Sequence, residues 1–245
     1  SSGSPILRDP VVPRDADIVV METTYGGRAH KQLGPSVDEL FAAINETVTR
    51  GGNVVIPTFA LERAQELLFY LHQGKVDGIL PRFLQVFLDS TMAISATHIF
   101  RRHPEAMKGG IERMIRSGKD PFRLPELHFT RDASDSMALN RIRAGAVIMA
   151  GSGMCTGGRI KHHLVHNIGR HESTILFSGY QAEGTPLIVL AGVLVFTTVF
   201  PNQVQPGFGL FVRERMFRVA RELPLVVVAP VWRKRSTKLT FSSTR

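Results

Sequence analysis

Along the first two hundred residues, apolar positions fall into two alternating patterns. Short unbroken runs rich in β-branched residues alternate with longer stretches in which apolar residues recur every three or four positions. "ADIVVMET" (16–23), "NVVIPT" (53–58), "QVFLDS" (85–90), "LHFTR" (127–131), "AVIMAGSG" (146–153) and "TILFSGYQ" (174–181) have the first pattern and predict strands. "SVDELFAAINETVTRGG" has the second: Val37, Leu40, Phe41 and Ile44 share a helical face. Ser36 and Glu39 there form a candidate capping box, and Gly51–Gly52 end the run. "LERAQELLFYLHQG", closed by Gly74, "TMAISATHIFRRH", "SDSMALNRIRAG" and "GGRIKHHLVHNI" are further predicted helices. Strands alternating with helices of this length imply a mostly parallel, doubly wound α/β sheet. Runs as apolar as "VVIP" and "AVIMA" imply strands covered on both faces.

The alternation fails from Pro186 onward. "PLIVLAGVLVF" and "LPLVVVAPVW" lack capped helices between them, and "WRKRSTKLTFSSTR" reads as a tail. These features divide the chain into an α/β domain over residues 1–185 and an irregular basic C-terminal segment over residues 186–245. Charge follows the same division. Residues 201–245 hold nine Lys and Arg against Glu214 and Glu222, whereas the first 200 hold 21 against 19 acidic residues. A basic tail suits a polyanion such as nucleic acid, and equally a solubilising end. Cys155 is the only cysteine, which excludes an internal disulfide and points to a cytoplasmic setting. A small buried filler and a nucleophile are both compatible with a lone cysteine beside a glycine turn. The most apolar window, Pro186 to Phe200, is too short to span a bilayer, so no membrane is expected.

In a parallel α/β sheet, ligands bind at the carboxyl ends of the strands. The predicted strands end in Glu22-Thr23-Thr24-Tyr25, Thr58-Phe59, Asp89-Ser90-Thr91, Gly151-Ser152-Gly153 and Ser178-Gly179-Tyr180, a small, hydroxylic or acidic rim. "GSGMCTGGRIKHHL" (151–164) adds four glycines followed by Arg159, Lys161 and His162. Backbone left bare by glycine before a helix suits a phosphate, and it also suits close packing. The spacing matches neither the Walker nor the dinucleotide fingerprint. Glu22 is a candidate acid/base or a carboxylate that orients a histidine. His162 and His166 share a helical face, but no acidic ligand accompanies them and no H-x-H-x-D-H or H-E-x-x-H occurs.

Five stretches together, "DIVVMETTYGGRAHK", "GGNVVIPTFALERAQELLFYL", "VFLDSTMAISAT", "VIMAGSGMCTGGRIKHHL" and "STILFSGYQAEGT", resemble the β-CASP subfamily of the metallo-β-lactamase superfamily. The family's members process RNA, and the resemblance covers about residues 5 to 185. It implies a β-CASP domain, a cap that holds RNA against a zinc-bearing core. Glu22 matches the acidic residue of the first β-CASP motif. Arg28, Ser90 and the loop residues Gly151, Ser152, Gly153, Thr156, Gly157, Gly158 and Arg159 match segments facing the RNA phosphates. The family's zinc ligands have no counterpart, since the H-x-H-x-D-H motif is absent and no histidine follows His171. Zinc therefore belongs to the intact family, and none is expected on this chain alone. The expected partners are RNA, a metallo-β-lactamase core supplied by sequence outside the chain, and a second copy of the chain. Two readings account for the unfamiliar ending: a reading frame shifted near Thr185, or genuine divergence. The implied function is that of a partial RNA-processing nuclease, or of a non-catalytic RNA-binding module.

Overall fold

The computed structural model describes residues 3–11, 13–21 and 33–179. The chain forms α1 (Leu33–Thr49), β1 (Val54–Pro57), α2 (Arg63–Val76), β2 (Gln85–Asp89) and α3 (Thr91–Arg102). A short 3-10 turn (Pro104–Ala106) leads to α4 (Gly109–Arg116) and β3 (Leu127–Phe129). Then come α5 (Ala133–Leu139), β4 (Ala146–Ala150), α6 (Ile160–Asn167) and β5 (Thr174–Ile175). The strands lie in the order β3-β2-β4-β1-β5, and every pairing is parallel. Among the described residues no helix is long and apolar enough to cross a membrane.

Both faces of the sheet are covered, and strand alternation sorts the side chains between them. Val54, Ile56, Val86, Leu88, Val147 and Met149 face one side. They pack against Leu40, Phe41 and Ile44 of α1, Leu67, Leu68 and Leu71 of α2, Ile94 and Phe100 of α3, and Ile111 of α4. Val55, Ile148 and Ile175 face the other side, where Ile160 and Leu164 of α6 and Leu139 of α5 cover them. The arrangement is doubly wound, as the sequence pattern implies. It also sets the direction of the loops. The chain leaves β1 and β2 toward the α2–α3 face but leaves β4, which lies between them, toward the α6 face. Connections that part in this way open a crevice at the carboxyl ends of the strands.

Three local expectations are revised, and one helix had none. The run at 18–21 is not a strand in the described residues, and Ile18, Val19, Val20 and Met21 are 71–93% exposed. β-branched residues favour a strand only where a neighbouring strand packs beside them, and none does here. The continuation at 22–32, with Glu22 and Arg28, lies outside the described residues, as does everything from Tyr180, including segment 186–245. The first helix starts at Leu33, so Ser36 lies inside it. The second runs through Gly74 to Val76. Gly74 is a packing residue, because a Cβ there would meet the Phe41 ring at 2.8 Å and the Leu80 side chain at 2.9 Å. Finally, α4 gives little sequence signal, since it begins Gly-Gly and buries only Ile111.

Glycine freedom matters most at Gly52, before β1. A Cβ at that position would lie 1.8 Å from the Glu172 carbonyl oxygen, which is backbone and cannot move aside. Gly52→Ala should therefore cost on the order of 1–3 kcal/mol. Gly110, in α4 with open space around it, should behave oppositely, Gly110→Ala gaining about 0.5–1 kcal/mol through helix propensity. Denaturant midpoints of the two variants should move in opposite directions.

Candidate nucleic-acid interface

Three strand ends meet at the crevice. A Cβ on Gly151 would lie 3.8 Å from the Thr58 carbonyl and 3.9 Å from Ser90 Oγ, so the loops after β1, β2 and β4 converge there. Ser90 is the N-cap of α3, its Oγ accepting from the Ala93 N–H at 3.2 Å. Gly153 lies flat against the Phe59 ring, which a Cβ would enter at 2.8 Å. Gly158 has φ +79, and a Cβ there would come within 2.4 Å of the Gly151 oxygen. Two of the four loop glycines are thus required by packing. Gly157 faces open space.

The loop closes on itself through backbone bonds. Ser152 N–H donates to the Gly157 oxygen at 3.1 Å, and Cys155 N–H to the Ser152 oxygen at 3.1 Å. Ile160, the first residue of α6, donates to the Gly151 oxygen at 3.0 Å, and Lys161 to the Gly158 oxygen at 3.3 Å. The first amides of α6 are thus bound within the loop and do not point at a ligand. The N–H groups of Met154 and exposed Thr156 meet no acceptor among the described residues. With the Gly157, Gly158 and Arg159 N–H groups, which also meet no acceptor among the described residues, they are the backbone donors available to an anion, and exposed Lys161 and His162 stand beside them.

Arg159 is committed elsewhere. Its Nη1 donates to Asp89 Oδ1 at 2.7 Å and to the Thr130 carbonyl at 3.0 Å, and its Nη2 to the Arg131 carbonyl at 2.6 Å. Asp89, fully buried at the end of β2, also accepts from Thr130 Oγ1 at 2.6 Å and Ser136 Oγ at 2.5 Å. His163 Nε2 lies 2.6 Å from its Oδ2. Burial by itself would raise the Asp89 pKa. The bonds from His163, Ser136, Thr130 and Arg159 outweigh burial and hold it at about 2. Residues far apart in sequence build this cluster, and pattern reading did not assemble it. The available signal was a carboxylate closing an otherwise apolar strand, a position that demands partners.

The remaining candidates resolve simply. Cys155 is buried with φ +58, and burial pushes its thiol up to about 12, which suits a filler rather than a nucleophile. His162 and His166 are exposed, while His163 is buried on Asp89. No group of three His, Cys, Asp or Glu among the described residues is placed to hold a metal ion. The described residues therefore do not fit the zinc site that the family resemblance implies.

The Beta-Casp domain profile matches residues 64–186, half of the chain. The chain belongs to the Beta-Casp family. It is 39% identical over 181 residues to Ribonuclease TTHA0252 of Thermus thermophilus, a match covering 73% of this chain and 41% of that protein. It is 36% identical over 189 residues to Transcription termination factor FttA of Methanocaldococcus jannaschii, covering 73% of this chain and 28% of that protein. FttA of Methanosarcina mazei is 33% identical, with 73% and 29% covered. The chain thus spans less than half the length of these relatives. The profile covers β2, the crevice loops of β2 and β4, and the whole Asp89 cluster.

Asp89 sets the acid response. Its folded pKa lies below the ordinary 3.8, so its contribution to stability is complete above about pH 4 and is lost as pH falls toward 2. Asp89→Asn should lower stability near neutrality by about 3 kcal/mol, since Arg159 loses its ion pair and His163 its buried partner. The variant should also flatten the acid limb of a urea-midpoint titration. An unchanged midpoint at pH 7 would remove Asp89 from its place at the centre of the site. Cys155 should react with a disulfide reagent only on unfolding, monitored by thiol absorbance with and without denaturant.

Proposed function

We propose that this domain is the RNA-holding portion of an RNA-processing nuclease, and that the 245-residue chain binds RNA without cleaving it. The observation that carries the reading is the crevice where the loops after β1, β2 and β4 converge, in a chain of the Beta-Casp family. Its chemistry suits a phosphodiester backbone: the Met154 and Thr156 amides, the Ser90 hydroxyl, and exposed Lys161 and His162 at one lip. Gly151, Gly153, Gly157 and Gly158 shape the loop that holds these groups. Arg159 supports them from behind through Asp89. Glu22 and Arg28 are proposed for the same function, Glu22 as the carboxylate that hydrogen-bonds a catalytic histidine of the intact enzyme and Arg28 as a phosphate ligand.

Exposed apolar groups at the same end of the sheet support a second layer above the crevice. Phe59 is 44% exposed, Leu61 66% and Met92 73%. Bases can stack on such a surface, and a further domain can cover it. We assign hydrolysis to a metal-bearing core outside the described residues, and no catalytic step is derived from them. The family match ends at residue 186, where the apolar pattern changes, which favours separate treatment of segment 186–245.

Labelled RNA titrated into the purified chain at several salt concentrations tests both halves of the proposal. Binding should weaken steeply with salt, in proportion to the phosphates contacted. RNA should stay intact on prolonged incubation with zinc. Flat salt dependence overturns the RNA reading, and zinc-dependent cleavage overturns the non-catalytic one. Tight binding of a mononucleotide with no affinity for RNA would instead mark an unrelated nucleotide-binding sheet.

A further inference from the structure

The positive charge of the first 200 residues is gathered at the end of the sheet opposite the crevice. Residues 101–123 hold seven Lys and Arg against Glu105, Glu112 and Asp120, while the rest of that region holds fourteen against sixteen. Topology fixes their position. All strands run the same way, and α3 starts beside Ser90 at the carboxyl end. Its 12 residues extend about 18 Å and carry Arg101 and Arg102 to the opposite end. The segment preceding β3 lies at that end too. Arg101 ties the two together through an ion pair to Asp120 at 2.7 Å, and the Phe100 and Phe122 rings meet edge to face at 6.0 Å.

The acidic residues of this stretch already have partners. Glu112 takes Arg8 at 2.5 Å and Arg116 at 3.0 Å, Asp120 takes Arg101, and His103 lies 2.8 Å from Glu105. Arg102, Lys108, Arg113, Lys119 and Arg123 have no ion-pair partner among the described residues. Arg113 lies on the side of α4 away from buried Ile111. Beside these cations a hollow of about 780 Å³ opens along β3, the edge strand, lined by His98, Arg101, Arg123, His128 and Phe129 together with Asp120 and Glu126. It has aromatic and cationic walls, with the Arg101 guanidinium 5.8 Å from the Phe129 ring centre. The stretch between Ile99 and Met137 exposes no large apolar side chain, although Val76, Ile79 and Phe83 are exposed at the α2–β2 connection, which Lys75 ties to the Pro125 carbonyl at 3.0 Å.

We propose that this face is a second binding surface for single-stranded RNA, its cations following the phosphate backbone and the hollow receiving a base. The inference rests on the RNA reading of the crevice and extends it. A strand held at the crevice would continue across α3 to the opposite end of the sheet.

The test uses the 245-residue chain, the Arg113→Glu/Lys119→Glu double variant and the Lys161→Glu variant at the crevice. Fluorescence anisotropy is read with single-stranded RNA of about 6 and about 30 nucleotides across a salt series. Both substituted cations of the double variant are exposed and unpaired, and an unchanged melting temperature verifies the fold. The double variant should weaken the long RNA tenfold or more and reduce its salt slope by about two, with the short RNA unaffected. Lys161→Glu should weaken both. Unchanged affinity and slope for the long RNA in the double variant overturns the second surface and leaves the crevice reading intact. If the short RNA never binds, yet the double variant abolishes long-RNA binding, the crevice reading falls and the second surface stands. Equal loss of poly-glutamate and RNA binding overturns the assignment in favour of acidic peptides.

Discussion

A single buried carboxylate holds the functional end of this domain together. Asp89 closes β2 at zero exposure and accepts bonds from Thr130, Ser136, Arg159 and His163. An ionised carboxylate survives in such a place only when its oxygens are fully engaged. Those donors belong to the segment after β3, to α5 and to α6. Satisfying Asp89 therefore sets the start of α6, and with it the glycine loop, relative to the sheet. The loop amides are presented to solvent because the residues just after them are anchored below.

This anchoring changes the electrostatics of the crevice. Arg159 is next to the glycine loop in sequence and looks like a phosphate ligand, yet its charge is balanced by Asp89 and three of its donor bonds are made internally. The field at the crevice then comes from neutral amides, Lys161 and His162. Such a site can position a backbone, but it offers few full charges for affinity. A long polyanion would have to gain its remaining binding free energy elsewhere on the surface, and five cations without an ion-pair partner among the described residues stand at the opposite end of the sheet.

The parts of the fold legible in the sequence are those governed by burial alone. β1, β2 and β4 are largely apolar runs because both their faces are covered. The run at 18–21 has the same composition and is exposed, because composition records a tendency to pair and not the presence of a partner. α4 is the converse: a helix with one buried residue, held by its neighbours on the 3-10 turn, leaves almost no periodic trace. The polar rim was legible as a set of strand ends. The Asp89 cluster was not, because Thr130, Ser136, Arg159 and His163 lie 41 to 74 positions from it and nothing local distinguishes them from surface residues.

The glycine loop shows why one motif can carry two explanations at once. Gly153 and Gly158 exclude side chains that would strike Phe59 and the loop's own backbone, so packing accounts for them fully. Gly157 meets nothing, and packing gives no reason for it. Next to it stands Thr156, exposed and with an unbonded amide. Steric necessity thus builds the tight frame of the loop, and the bare backbone inside that frame runs from Met154 through Arg159, interrupted by the bonded Cys155 amide. If an anion is bound by this loop, it is bound there and not at the start of α6, whose first amides already have acceptors. The strand-to-helix turn therefore acts as a rigid support for these backbone donors, and the helix dipole reinforces them.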